Sequence, residues 1–128
     1  IRLINKMEIP QIIKDVGFDF HWSEEKVWKL NVPVEEISID ELKWHFDTPF
    51  WGHYQLKPMD VINNPSKYED EYKRIMNSDL QYPLDIMFWK GRWLLLDGLH
   101  RLAKASVLGL KTVKVRKVPQ EAIPQISS

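Results

Sequence analysis

The 128-residue sequence contains no cysteine. Disulfides, thiolate metal ligands and thiol nucleophiles are therefore excluded, and the absence is typical of a cytoplasmic protein. An excess of charge of either sign is also missing, because 18 basic and 18 acidic residues cancel, whereas general nucleic-acid binders usually carry a basic excess. No apolar run is as long as a transmembrane helix, and no segment has the form of a signal peptide. We therefore expect one cytoplasmic domain without a membrane partner.

The most informative stretch lies near residue 97. Residues 94–96 are three leucines, which predict a buried strand, and the turn pair Asp97-Gly98 ends it. Apolar residues then recur at helical spacing up to Leu110, with Gly109 where a helix C-terminus often has a left-handed residue. The sequence thus predicts a strand that turns on a glycine and continues directly into a helix of about ten residues.

Such a junction is suited to anions. The first turn of a helix has backbone N–H groups without partners in the helix, and it carries the positive end of the helix dipole. Gly98 allows a ligand to approach the backbone of Gly98 and Leu99, while His100 and Arg101 add side-chain donors. Asp97 would bind a metal, accept a proton or cap the helix. The alternative is that Asp97 is only an N-cap and that His100 and Arg101 are solvated.

Residues 97–103 have the sequence Asp-Gly-Leu-His-Arg-Leu-Ala, followed by Leu108-Gly109 and a Val-rich segment at 112–115. This order resembles the second conserved box of the ParB/sulfiredoxin superfamily, and a hairpin predicted over 83–96 fits it. The resemblance covers about residues 55–118. It implies an α+β fold with a small mixed sheet, flanking helices and a nucleotide-phosphate site.

Members of that superfamily differ in chemistry: this chain departs from the sulfiredoxin type and is most similar in local motif to the free-serine kinase type. Sulfiredoxins have their catalytic cysteine where this chain has Leu99, so sulfiredoxin chemistry is excluded. The free-serine kinase type has Asp-Gly-His-His-Arg where this chain has Asp-Gly-Leu-His-Arg. That resemblance implies a catalytic role for Asp97 and phosphate contacts from His100 and Arg101.

A second, shorter match lies at Leu56-Lys57-Pro58, which predicts the start of a helix with Asp60 in its first turn. In the serine kinase a Leu-Lys-Pro segment leads to a residue that borders the active site, so the resemblance implies a catalytic role for Asp60. Asp97 with Asp60 would be an adequate pair of carboxylates for Mg²⁺. A purely structural aspartate in a first helical turn is the alternative.

Outside the box the patterns predict further elements. Phe18, Phe20 and Trp22 alternate with polar residues and, with a second strand at 27–32, predict an added N-terminal hairpin. Ser38 followed by Glu41 is a capping-box pattern that predicts a helix over 39–46. We expect residues 1–54 to be an N-terminal addition, 55–118 the superfamily core and 119–128 a surface tail of a single domain.

Three groups of residues leave alternatives open. The aromatic residues between positions 44 and 54 form either core or a base-stacking platform. His45 and His53 are possible metal ligands without a diagnostic third partner. A basic cluster after the box is either a DNA-contact patch or a solvated face and strand edge; its members are Lys104, Lys111, Lys114, Arg116 and Lys117.

These patterns lead to one main functional hypothesis. The chain is expected to bind a nucleoside di- or triphosphate with Mg²⁺ at Asp97, and to act as a phosphotransferase or a nucleotide hydrolase. Gly98, Leu99, His100 and Arg101 would hold the phosphates. The alternatives are a DNA-associated module of nuclease type and a non-catalytic interaction domain. The nucleotide, the second substrate and the oligomeric state are left open.

Overall fold

The computed structural model of the chain describes residues 9–128, which form an α+β fold, as predicted. Six α-helices are present in that range: α1 Gln11–Asp15, α2 Glu24–Trp28, α3 Pro58–Asn63, α4 Glu69–Asn77, α5 Leu99–Val107 and α6 Ile123–Ile126. The strands are β1 Val34–Ser38, β2 Leu84–Trp89, β3 Arg92–Asp97 and β4 Thr112–Lys117. Three short 3₁₀ helices cover Ile39–Glu41, Lys43–Asp47 and Gln120–Ala122. Within the described range, no helix is both long enough and apolar enough to span a bilayer.

The four strands form one mixed sheet in the order β1-β4-β2-β3. β1 pairs with β4 and β2 with β3 in antiparallel fashion, while β2 and β4 are parallel. The parallel pair requires a crossover, which β3 and α5 provide. The small mixed sheet with flanking helices is therefore confirmed.

The β2–β3 hairpin places two carboxyl groups at one end of the sheet. Its turn is Lys90-Gly91, where both residues have positive φ (51° and 89°), as expected for a tight hairpin turn. At the other end of the hairpin the register shifts between Asp85 and Ile86, so that Asp85 pairs with Asp97. The irregularity thus brings together the first polar side chain of β2 and the last one of β3.

The predicted strand–turn–helix at the box is confirmed. Leu94, Leu95 and Leu96 are buried, and β3 ends at Asp97. Gly98 then adopts φ +114°, a conformation that favours glycine, and α5 begins at the next residue. The buried face of α5 packs on the main core through Leu99, Leu102, Ala103 and Ala105.

The Gly98→Ala substitution is expected to lower the free energy of unfolding by about 2–4 kcal/mol, through backbone strain and overpacking. An added Cβ would lie 2.6 Å from Leu84 Cδ2 and 3.2 Å from Arg101 Nη2. Gly109→Ala is the matched control, because Gly109 also has positive φ (+74°) but its Cβ would meet nothing within 4 Å. Urea denaturation measures both variants. Equal losses would show that the contact with Leu84 has no energetic effect.

The predicted N-terminal hairpin is wrong. Residues 18–23 form no strand. The first two residues of the second predicted strand, Val27 and Trp28, belong to helix α2. Ser23 caps that helix by accepting a hydrogen bond from the Lys26 backbone N–H, and Glu24 and Glu25 lie in its first turn. The alternation from Phe18 to Trp22 has another cause. This segment is irregular, and its aromatic rings pack into the apolar interior of the domain.

The predicted helix over 39–46 is present only as two 3₁₀ helices. Ser38 is the N-cap, as predicted, but its side chain accepts from the Asp40 N–H rather than forming the expected box with Glu41. The chain breaks at Leu42, which has φ −119°. This break turns Leu42, His45 and Phe46 all into the core, where each is fully buried. Phe50 and Trp51 are also buried, so the core interpretation of the aromatic cluster is confirmed for them.

The segment 119–128, predicted to be a surface tail, is exposed at most positions, but two of its residues are buried. Ile126 is fully buried, and with Ala122 it joins a small second core that contains Val27, Met87 and Leu96. The Ser23 N–H donates to Ile126 O, and Lys26 Nζ donates to Ser127 O. The end of the chain therefore packs against α2.

Candidate functional site

The N-terminus of α5 opens into a cleft of about 680 Å³. Its floor is the box itself, residues 97–101, and its walls come from α2, the 50–54 loop, α4 and the 78–82 turn. Gly98 and Leu99 both line the cleft, so the helix end is not sealed by other residues. The sequence-predicted phosphate cradle thus lies at an accessible cavity.

Asp97 is held by two hydrogen bonds at the floor of the cleft. Its Oδ2 accepts hydrogen bonds from Trp28 Nε1 at 2.8 Å and from Arg101 Nη2 at 3.0 Å. The Glu24 carboxyl group lines the same cleft and acts on Asp97 electrostatically. Burial alone would raise the pKa of Asp97, but the contacts with Glu24, Trp28 and Arg101 outweigh it and lower the pKa.

Arg101 is held from two sides rather than projecting freely into the cleft. Nη1 donates to Pro83 O at 2.8 Å, and Nη2 donates to Asp97. The side chain is 16% exposed. Two of the five guanidinium N–H groups are thus used internally, and the remaining donors and the charge border the cleft.

His100 stacks on the ring of Trp51, with ring centroids 4.7 Å apart. Its Nε2 lies 3.6 Å from Glu71 Oε2 and has no hydrogen-bond partner among the described residues. Burial lowers the pKa of His100, although the Glu71 carboxylate acts in the opposite direction. The imidazole is therefore neutral near pH 7, and it adds no positive charge to the cleft.

Asp60 is not brought to the cleft. It lies in the first turn of α3, where its Oδ2 accepts from the Lys57 backbone N–H at 3.3 Å, and it is not among the cleft-lining residues. This is the structural alternative that the sequence left open. The carboxyl group that meets Asp97 is instead Glu24, which no spacing in the sequence connects to the box. Trp28 was missed for the same reason.

Two other sequence candidates serve structural roles. His45 is fully buried and bonded to backbone on both ring nitrogens, so it does not face a ligand. In the basic cluster, Arg116 pairs with Asp85 at 2.6 Å and Lys104 donates to Ser78 O. These two members of the cluster therefore make internal contacts.

Comparisons of the chain with protein-family models, with curated proteins and with solved structures find no match. The superfamily likeness accordingly remains a resemblance carried by one box and its flanking strands. The chemical groups that line the cleft are therefore the basis for inferring what the chain binds.

The net charge of the side chains that line the cleft limits which ligands can bind there without a cation. Four carboxyl groups line it, from Glu24, Glu71, Asp79 and Asp97, whereas Arg74 and Arg101 are the guanidinium groups there. An anion such as a triphosphate would meet net repulsion unless a cation entered with it. Among the described residues no group of three or more aspartate, glutamate, histidine or cysteine side chains could hold a metal alone. Mg²⁺ usually needs one or two carboxylates plus phosphate oxygens, and the Glu24–Asp97 pair fits that requirement.

Proposed function

We propose that the chain binds a nucleoside di- or triphosphate together with Mg²⁺, with the phosphates at the N-terminus of α5. The observation that carries this proposal is the junction itself. Gly98 has a left-handed backbone conformation, and the start of the nine-residue helix α5 is open to the cleft. The carboxyl groups of Asp97 and Glu24 line the same part of the cleft. Backbone N–H groups and Arg101 would stabilise the phosphate charge.

Each residue of the site has a role in this proposal. Asp97 and Glu24, which line the cleft together, would hold Mg²⁺. The bound ion would neutralise phosphate charge and polarise a phosphorus–oxygen bond. Arg74 extends from α4 at the rim and is 72% exposed, so it would contact the outer phosphate. The reaction class that we propose is phosphoryl transfer or nucleotide hydrolysis, in which positioning and charge stabilisation do most of the catalysis.

Isothermal titration with ATP, ADP, CTP and GTP, each with and without Mg²⁺, tests this function. We expect Arg74→Ala to weaken binding about 10-fold, as for a lost charge-assisted hydrogen bond. The control is Lys73→Ala on the same helix: Lys73 is similarly exposed and also pairs with a glutamate, but it does not line the cleft. Arg101→Ala is less informative, because it also removes the hydrogen bonds that Arg101 donates to Asp97 and to Pro83 O. If no nucleotide binds in any titration, the proposal is wrong.

A further inference from the structure

A second cavity, of about 530 Å³, lies against the same Asp97–Arg101 ion pair. It is lined mainly by apolar surface, including Trp28 and Pro83, and its polar wall contains Asp85 and Arg116. Tyr82, Asp97 and Arg101 line both this cavity and the phosphate cleft. The two spaces are therefore neighbours that share a wall.

Two large aromatic side chains of this cavity are turned toward solvent. Trp28 is 56% exposed and Tyr82 is 65% exposed. Trp28 is also held in place, because its indole N–H donates to Asp97. Aromatic faces that stay accessible beside a cavity are suited to stacking against a planar ring.

The buried wall offers one hydrogen-bond acceptor. Asp85 is 3% exposed, and its Oδ1 accepts from Arg116 Nε. Arg116 is fixed in turn by Val27 O and Leu30 O, at 2.8 and 2.9 Å. The second carboxylate oxygen of Asp85 makes no hydrogen bond to any residue between positions 9 and 128. A ligand that carries an N–H group on its edge would satisfy it.

We infer that this second cavity binds the base of the nucleotide. The ring would stack on Trp28 and Tyr82 and donate an N–H to Asp85, while the phosphates of the same molecule lie at the start of α5. The inference rests on the proposed nucleotide function and adds to it a base site and a requirement for a ring-edge donor. Adenine, cytosine and guanine meet this requirement, whereas an unsubstituted purine riboside does not.

The test separates the base from the phosphates. The chain is titrated with the three nucleosides, with purine riboside, with inorganic tripolyphosphate and with the matching nucleoside triphosphates. Binding is measured by calorimetry and by the NMR shift of the Trp28 indole N–H, assigned by its loss in Trp28→Phe. We expect Tyr82→Ala to weaken triphosphate nucleotides about 10-fold and to leave tripolyphosphate unchanged. Phe88→Ala, which removes an exposed aromatic ring outside both cavities, is the control.

Each outcome decides the matter. A shift of the Trp28 resonance with at least one nucleoside, and none with purine riboside, supports the base site even if tripolyphosphate fails to bind. Binding of tripolyphosphate and nucleotides with equal affinity overturns the base site and leaves the phosphate function intact. Equal losses in Tyr82→Ala and Phe88→Ala would also overturn it. If no ligand binds, both the base site and the proposed function are wrong.

Discussion

Lowering the pH from 7 to 4 is expected to remove about 3 kcal/mol from the free energy of unfolding through His45 alone. His45 is fully buried, and burial lowers its pKa to about 3 from an ordinary value of 6.5. The unfolded state therefore takes up a proton between pH 6.5 and 3 that the folded state refuses. The stabilising contribution is complete above pH 6.5 and is lost as the pH falls toward 3.

The hydrogen bonds of His45 explain why its ring must remain neutral. Nδ1 donates to Leu42 O at 2.7 Å, because a carbonyl oxygen can only accept. Nε2 accepts from the Leu95 backbone N–H at 3.0 Å, so it cannot carry a proton of its own. Protonation would break the second bond, which joins a 3₁₀ helix to the central part of β3, and would leave a charge in the core.

Urea denaturation between pH 7 and 4 measures this effect in the native chain and in His45→Gln. We expect the slope of stability against pH to become shallower in the variant. His100→Gln is needed as a control, since the lowered pKa of His100 changes stability with pH in the same direction. NMR of the His45 ring offers a check that does not depend on a stable variant. A ring that titrates in the folded protein with a midpoint near 6.5 would contradict the assignment.

The second large effect is expected from Asp97→Asn, which should weaken Mg²⁺-dependent nucleotide binding about 100-fold. Asparagine keeps a carbonyl oxygen that accepts from Trp28 and Arg101, so the walls of the cleft remain in place. The variant lacks the negative charge that would hold the cation. In the absence of Mg²⁺ the same substitution should leave nucleotide affinity unchanged or raise it, because a charge that repels phosphate has been removed.

Asp79→Asn is the matched control for this experiment. Asp79 also lines the cleft, but it is exposed and accepts a hydrogen bond from the Gln81 backbone N–H. We expect the nucleotide affinity of Asp79→Asn to differ from that of the native chain by less than about 3-fold, because one exposed charge is screened by solvent and salt. Titrations with and without Mg²⁺ compare the two variants. Equal losses in both would mean that the cleft acts only through its total charge and that Asp97 is not a metal ligand.

The parts of the fold that could be predicted depend on neighbours in sequence. The leucines of β3, the turn at Gly98 and the apolar face of α5 follow one another directly, so local periodicity identified all three. Pro58 similarly marked the start of α3, and Ser38 marked a helical start. Phe18 to Trp22 were misassigned because alternate burial is common to a strand and to an irregular segment packed on a core.

The candidate site was only half predictable for a related reason. Gly98, His100 and Arg101 are consecutive or nearly so, and the sequence placed them together. Glu24 and Trp28 meet Asp97 only because α2 packs beside the end of β3, and no spacing records that contact. Arg101 shows a further limit of prediction from sequence. The sequence indicates a guanidinium group at this position, but it does not show that the group already donates hydrogen bonds to Asp97 and to Pro83 O.

The packing of residues 119–128 against α2 makes one wall of the cleft depend on contacts that are distant in sequence. Glu24 and Trp28 belong to α2, and this helix is held by hydrogen bonds to Ile126 O and Ser127 O, the second of which joins residues 101 positions apart. The box, in contrast, consists of consecutive residues. Loss of the packing at Ile126 would therefore displace the wall that α2 provides while the box keeps its local structure.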